Sequence, residues 1–322
     1  MTTFILRRLV QTIPLILGIT MVTFVLVNAV PGSPVAELAL NPGTRPEDVE
    51  RIRRQLGLDQ PFYIRYFTWL GNVLRGDFGV SLVDYRPVLP TILERLPNTL
   101  VLTVSAFCLA LLVAVPVGVY SAVRRNSWFD NAGTLLTTAG VAVPTFWFGI
   151  IMILIFSVKF KDWGLPNLPA TGAYTIPTGG DLLDRLSHLV MPALVLGFVQ
   201  MASWTRYVRS QMLEVISQDF IRTARAKGLR EQAVIFGHAL RNAVLPLVTL
   251  FGLAIPNLFS GALIIETIFA YPGIGLLTFD AATQRNYTVI MGTVLFSSTL
   301  VILGNLLADV AYGVLDPRIK LS

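Results

Sequence analysis

Six stretches of this sequence are long and apolar enough to cross a lipid bilayer: residues 9–29, 99–120, 134–158, 189–208, 245–268 and 289–314. A helix rises about 1.5 Å per residue, so about 20 apolar residues match the hydrocarbon thickness. In that solvent each backbone N–H and C=O must find its partner within the segment, which makes runs of this length helical. The chain is therefore expected to be an all-α membrane protein with six transmembrane helices. Composition agrees, since 54% of the 322 residues are hydrophobic and only 14% charged. With a mean hydropathy of +0.66, a soluble core of this size could not bury its apolar side chains.

Six crossings place both termini on one side. If that side is the cytoplasm, it holds Arg7, Arg8, Arg124, Arg125, the Lys and Arg residues from Arg206 to Arg241, Arg318 and Lys320. The short outer loops hold only Lys159, Lys161, Arg185 and Arg285. This asymmetry satisfies the positive-inside rule and predicts a multi-pass protein of the inner (plasma) membrane with cytoplasmic termini. The net charge of +6 is dispersed between apolar runs without interleaved aromatics, so the expected partner is the lipid bilayer and no nucleic acid. The charged Met1–Arg8 flank is shared with signal peptides, but the run behind it has spanning length, and Val30-Pro-Gly-Ser-Pro34 is a poor cleavage site. A retained first span is expected.

Composition divides the chain into residues 1–30, containing the first span, an extracytoplasmic segment 31–97, and a five-span core 98–322. The outer segment is too polar to cross and too long for a turn, so it reads as a small cap. Thr44-Arg-Pro-Glu47 predicts a helix start with a capping box, and Gly57 its end. Phe62 to Leu74, with Tyr66, Phe67 and Trp69, predicts an amphipathic helix beside the span ends. Pro14, Pro116, Pro144, Pro192, Pro246 and Pro256 fall within spans. Each removes a helical hydrogen bond and predicts kinks.

Between the fourth and fifth spans lies a basic cytoplasmic loop, residues 209–243. Ser217 is placed to cap a helix with Asp219 in its first turn and Arg225 and Lys227 near its end, each matched to the helix dipole. Gly228 supplies a left-handed stop. Ile216, Phe220, Ala224 and Leu229 form the predicted apolar edge, and Glu231 to Arg241 a returning helix. Contact with anionic lipid headgroups is the competing reading of a basic amphipathic helix, while the turn and the returning helix favour a short cationic knob projecting from the bundle.

The stretch Asp219-Phe-Ile-Arg-Thr-Ala-Arg-Ala-Lys-Gly-Leu229, with His238-Ala-Leu-Arg-Asn-Ala-Val-Leu-Pro246, resembles the cytoplasmic coupling loop of ABC-importer permeases of the dipeptide/oligopeptide/nickel branch. The resemblance extends through Arg7-Arg8, Pro31-Gly32, Leu56-Gly-Leu-Asp-Gln-Pro61, Gly76-Asp-Phe-Gly79, Glu94-Arg-Leu-Pro-Asn-Thr99, Glu266-Thr-Ile-Phe-Ala-Tyr-Pro-Gly-Ile-Gly275 and Asp316-Pro-Arg318. The long segment after the first span looks like the first of the two permeases in such systems. Arg222-Thr223-Ala224 stands where the general importer motif has Glu-Ala-Ala. Gly228 is also further from Leu245-Pro246 than in that motif.

The resemblance implies a heterodimer with a second permease, two cytoplasmic ATPase subunits and an extracytoplasmic substrate-binding protein. It assigns ATPase coupling to Asp219, Phe220, Arg222, Thr223, Ala224, Arg225, Ala226, Lys227, Gly228 and Leu229. The chain has no Gly-rich phosphate loop of its own, so ATP and Mg belong on the ATPase subunits and no cofactor is expected here.

Polar residues in the spans mark translocation-path candidates: Asn28, Gln200, Asn257, Glu266 and Asn305, with Asp309 near a span end. Interhelical hydrogen bonding is the competing role for the amides. Glu266 is expected near a span end, where water lowers the cost of its charge. Phe198, Met201 and Trp204 read as core packing. Tyr271-Pro-Gly-Ile-Gly275 predicts a turn between the last two spans that could dip back toward an outer gate.

No catalytic or metal-binding residues are predicted. His188 and His238 lie on opposite sides, Cys108 is the only cysteine, and the span serines have no His at matching depth. A self-contained secondary transporter is the main alternative, yet the sequence shows no convincing inverted repeat.

Overall fold

The structure, a computed structural model, describes residues 2–29, 45, 47, 59–176, 180–244, 254, 258 and 262–315, with side chains described at Arg8 and from Val10 to Ala308. Among these residues the regular structure is helical, apart from one isolated antiparallel bridge between Val80 and Pro87. The helices are α1 (Thr2–Ala29), α2 (Phe62–Leu74), α3 (Val88–Val123), α4 (Trp128–Ala142), α5 (Thr145–Asp162), α6 (Leu182–Ile216), α7 (Asp219–Ala226), α8 (residues 233–243), α9 (Leu263–Ile268), α10 (Ile274–Thr283) and α11 (Tyr287–Leu315). The expected cap helix after Thr44 and most of the fifth apolar stretch, including Leu245, Pro246, Pro256 and Asn257, lie outside the described residues.

Four helices, α1, α3, α6 and α11, are each long and apolar enough to cross a membrane, and α4 with α5 makes a fifth if the bent pair counts as one. The third apolar stretch is not the single kinked span that Pro144 predicts. It is two helices meeting at 105°. Pro144 has no N–H to donate, and its ring holds Val143 extended at φ −80° and ψ 125°, so the first helix stops there and a new one starts at Thr145. In contrast, α3 runs through Pro97 and Pro116, and α6 through Pro192. Because α3 begins at Val88, the boundary expected at 97/98 falls inside one continuous helix.

The centre of the bundle is the α3/α6 pair, made close by two glycines. At Gly118 an added Cβ would lie 2.7 Å from Cβ of Val208 and 2.9 Å from the Thr205 carbonyl. At Gly197 it would lie 2.8 Å from the Ala106 carbonyl. Around this seam, Ala110 and Ala114 of α3 pack with Met201 and Trp204 of α6 and with Ala254. Phe198 lies against Phe148 of α5 with ring centroids 4.5 Å apart. These residues form packed core, as expected.

The aromatic helix α2 docks on the second half of α1. Tyr66 is buried with its hydroxyl 2.9 Å from that of Thr20, and Phe24 meets the rings of Phe62, Tyr66 and Trp69. α1 also packs along α11, leaving Val10, Ile13, Met21, Val22 and Leu26 exposed as a lipid-type surface.

The connections sort onto two faces. On one, Asn286 bonds Ser81 and the Leu82 N–H, the Asn98 amide reaches the Pro272 carbonyl at 2.9 Å, and the Gly172 N–H reaches the Phe269 carbonyl at 2.9 Å. The other carries the 124–127 turn, α7 and α8. This division, obtained from contacts alone, matches the one read from charge.

Candidate functional site

The basic loop after α6 folds as a helix, a stop and a return. α6 continues to Ile216, the chain turns at Ser217–Gln218, and α7 occupies Asp219–Ala226. The N-cap is Gln218, without a side-chain hydrogen bond to the helix. Ser217 does not cap α7 as predicted; its hydroxyl donates to the Glu214 carbonyl at 2.7 Å and so finishes the preceding helix. Asp219 does occupy the first turn, bonded by Arg222 at 3.2 Å.

The stop is a complete Schellman motif. Gly228 has φ +77°, its N–H donates to the Arg225 carbonyl at 2.9 Å, and the Leu229 N–H reaches back to the Ala224 carbonyl at 3.4 Å. The last carbonyls of α7 are thereby paired, and the left-handed residue is the glycine picked out in the sequence. Arg225 then clamps Glu231 across the turn, with Nη2 to Oε1 at 2.6 Å and Nε to Oε2 at 3.2 Å. The bidentate bond lowers the Glu231 carboxyl below its ordinary range and raises the guanidinium.

The buried edge of α7 is turned from the predicted one. Ile221 and Ala224 point inward, joining Val119 and Ala122 of α3, Val208, Met212 and Val215 of α6, and Val234, Ile235 and Ala239 of α8. Phe220 and Leu229 are exposed, together with Phe236. A helix hung from the end of α6 turns its stripe toward the inner ends of α3 and α6, and this contact sets the phase. Ala224 was predicted correctly; Phe220 and Leu229 are instead apolar groups offered outward. They stand among exposed Arg222, Thr223, Arg225, Ala226, Lys227 and Gly228. The surface is thus apolar within a cationic rim and held rigidly from behind.

One feature of this face has no obvious sequence signal. Asp130, in the first turn of α4, is 1% exposed and takes a bidentate bond from Arg209 of α6, Nη2 lying 2.8 Å from Oδ2 and Nε bonding Oδ1. The Asn126 N–H donates to the same carboxylate at 2.9 Å, and Ser127 caps α4. The two partners are far apart in sequence, and only the fold brings them together.

Of the path candidates among the described residues, none hydrogen-bonds another. Asn28 bonds the Phe24 carbonyl and accepts from Arg65, so it secures α2 to α1. Gln200 is half-buried on α6, Asn305 is exposed on α11, and Asn257 lies outside the described residues. Glu266 is not at a watered span end. It is fully buried, with Thr99 donating to Oε1 at 2.9 Å and the Leu276 N–H to Oε2 at 3.0 Å. The Thr99 hydroxyl in turn accepts from the Ile274 N–H at 2.8 Å. The carboxylate fills the space that a Cβ at Gly273 or Gly275 would need, so it fastens the Tyr271–Gly275 turn against α3. That turn does tuck inward, with Tyr271 and Ile274 buried, and it leads into the short apolar helix α10.

Several helices long and apolar enough to span a bilayer, with a short helical projection packed at one end, define a polytopic membrane component. The chain belongs to the family of binding-protein-dependent transport system inner membrane components, whose profile matches residues 114–321. The corresponding N-terminal membrane component matches residues 1–103. Among its relatives is the oligopeptide transport system permease protein AppB of Bacillus subtilis, 46% identical over 321 residues, covering 99% of this chain and 100% of that protein. The dipeptide transport system permease protein DppB of Escherichia coli is 42% identical over 339 residues, covering 99% of each chain. The di/tripeptide transport system permease protein DppB of Pseudomonas aeruginosa is 40% identical over 334 residues, again covering 99% of each.

Proposed function

We propose that this chain is the first of two permease subunits of an ATP-driven ABC importer for di- or oligopeptides. The observation that carries the reading is α7, a Schellman-closed helix buried on Ile221 and Ala224 and exposed on Phe220, Arg222 and Leu229. Such an element transmits displacement without deforming, because its inward side belongs to the core shared by α3, α6 and α8. Relatives named as peptide permeases over their full length supply the substrate class.

In this reading a second permease completes the translocation path, and an extracytoplasmic binding protein delivers the peptide. Two cytoplasmic ATPase subunits hold ATP and Mg and receive the knob formed by Asp219–Leu229. The chain is a non-catalytic, six-span protein of the inner membrane. Both termini face the cytoplasm. The described stretch ahead of α3, residues 59–87, lies on the outer side. ATP binding favours one bundle state only through contacts that differ between states, and the knob is where those contacts act.

The test is purification of the tagged chain from its native membrane, followed by reconstitution with the proteins it brings down. A second permease and an ATPase should copurify, and peptide uptake should require ATP and the binding protein. Peptide uptake by the isolated chain alone would overturn the reading.

A further inference from the structure

The Asp130–Arg209 pair, its carboxylate buried and its guanidinium partly exposed, joins the part of the molecule that carries α7 to the part that contains the break in α4/α5. Arg209 follows Val208, the residue touching Gly118 at the tightest point of the α3/α6 seam. Beyond Arg209, α6 runs without interruption to Ile216, and α7 begins at Asp219. At about 1.5 Å per residue this is roughly 10 Å of continuous helix. On the other side, Asp130 sits at the start of α4, whose far end is the 105° break at Val143–Pro144. Asp130 is also tied to the α3–α4 turn through the Asn126 N–H, with Asn126 held at φ +61°.

The Asp130 carboxylate is removed from water while the Arg209 guanidinium stays partly exposed, so the lost hydration offsets much of their attraction and the pair's worth does not lie in stability alone. What the ion pair adds is direction. Two parallel N–H···O bonds fix both angle and distance, whereas apolar side chains can slide past one another. α4 also approaches α6 closely at Gly140, where an added Cβ would lie 3.0 Å from the Phe198 ring, near the break. The pair therefore controls the inner end of α4 and leaves the outer end to the aromatic contact.

We propose that Asp130 and Arg209 are positioning residues that make α4 follow the coupling helix, so that force received at α7 reaches the α4/α5 break. The proposal rests on the importer reading above. It predicts that loss of the pair separates ATP hydrolysis from transport while the complex stays assembled.

The experiment uses the complete importer in proteoliposomes with D130N, R209K and the exchanged pair D130R/R209D, measuring peptide imported per ATP hydrolysed. D130N is expected to retain ATPase activity and to lose about tenfold in that ratio, the size of a typical intersite coupling. R209K, which keeps the charge without the fork, should fall between D130N and the unaltered complex, and the exchange should recover part of the ratio. An unchanged ratio in both D130N and R209K overturns the proposal. So does a parallel loss of ATPase activity and uptake, which assigns the pair to folding alone. Where D130N does not assemble, R209K decides by the same ratio. Failure of the unaltered complex to import peptide with ATP would instead sink the importer reading, so the two failures are distinguishable.

Discussion

Gly228 shows what a single residue contributes to the knob. A Cβ there would meet nothing within 4 Å, so the cost of a side chain lies entirely in holding φ +77°. Gly228→Val should destabilise the Schellman turn by about 1–2 kcal/mol, and Gly228→Asn by less. The expected result is reduced coupling of ATP hydrolysis to uptake in the Val variant, and normal coupling there would remove the turn from the mechanism. Glu231 adds a pH dependence of definite sign. Its carboxyl is lowered by the Arg225 bond, so the stabilisation is fully present above the unfolded value of about 4.3 and is lost as pH falls through the folded one. Protection factors at amides 225–231, with the intrinsic pH dependence of exchange divided out, should fall on acidification in the unaltered chain, and Glu231→Gln should remove that part of the pH response. Glu266 presents the opposite case, a carboxylate that is fully buried. Glu266→Ala would leave the Thr99 O–H donor and the Leu276 N–H without their acceptor, at about 1–3 kcal/mol each. Thermal unfolding in detergent should rank the unaltered chain above Glu266→Gln and that above Glu266→Ala; equal midpoints would show that the turn is held by something else.

At the scale of elements, close approach is set by glycine. Gly118→Leu forces side-chain atoms into Val208 and the Thr205 carbonyl, and even Gly118→Ala should cost about 1–3 kcal/mol by overpacking. Gly71 in α2 has open space at its Cβ, so Gly71→Ala should stabilise by up to about 1 kcal/mol through helix propensity. Opposite shifts in unfolding midpoint are the expected pattern, and a neutral Gly118→Ala would mean that the α3/α6 seam can open. These contrasts also explain what could be read from the sequence. Apolar length gave α1, α3, α6 and α11, and the aromatic spacing from Phe62 gave α2 with its bounds, because those signals are local. Gly228 was legible for the same reason, since a left-handed stop needs one residue type. The phase of α7 was not, because whether Phe220 or Ile221 turns inward depends on where α3 and α6 place their ends. The Asp130–Arg209 pair and the Glu266–Thr99 bond were invisible because they join residues distant in sequence. Pro144 could be seen to disturb a helix, but its local chemistry is shared with Pro116 and Pro192, which their helices tolerate.

For the whole molecule, charge and contact give independent accounts of sidedness that can be tested together. The charge argument assigns Arg124, Arg125 and the loop from Arg206 to Arg241 to the cytoplasm. The contact argument uses no charge. It groups Ser81 with Asn286, Asn98 with Pro272, and Gly172 with Phe269 on one face, and puts the 124–127 turn and α7 on the other. Cys108 is the only cysteine, so Cys108→Ala gives a background in which single thiols can be introduced. Gln284→Cys and Val83→Cys, both at exposed positions on the first face, should react with a membrane-impermeant maleimide added outside intact spheroplasts. Gln232→Cys, exposed beside α7, should react only after the membrane is opened. Labelling of all three from one side would contradict the fold itself, since no orientation of this bundle brings those faces together. Reversed labelling would preserve the fold and overturn the orientation, taking the knob away from any cytoplasmic ATPase and the importer reading with it.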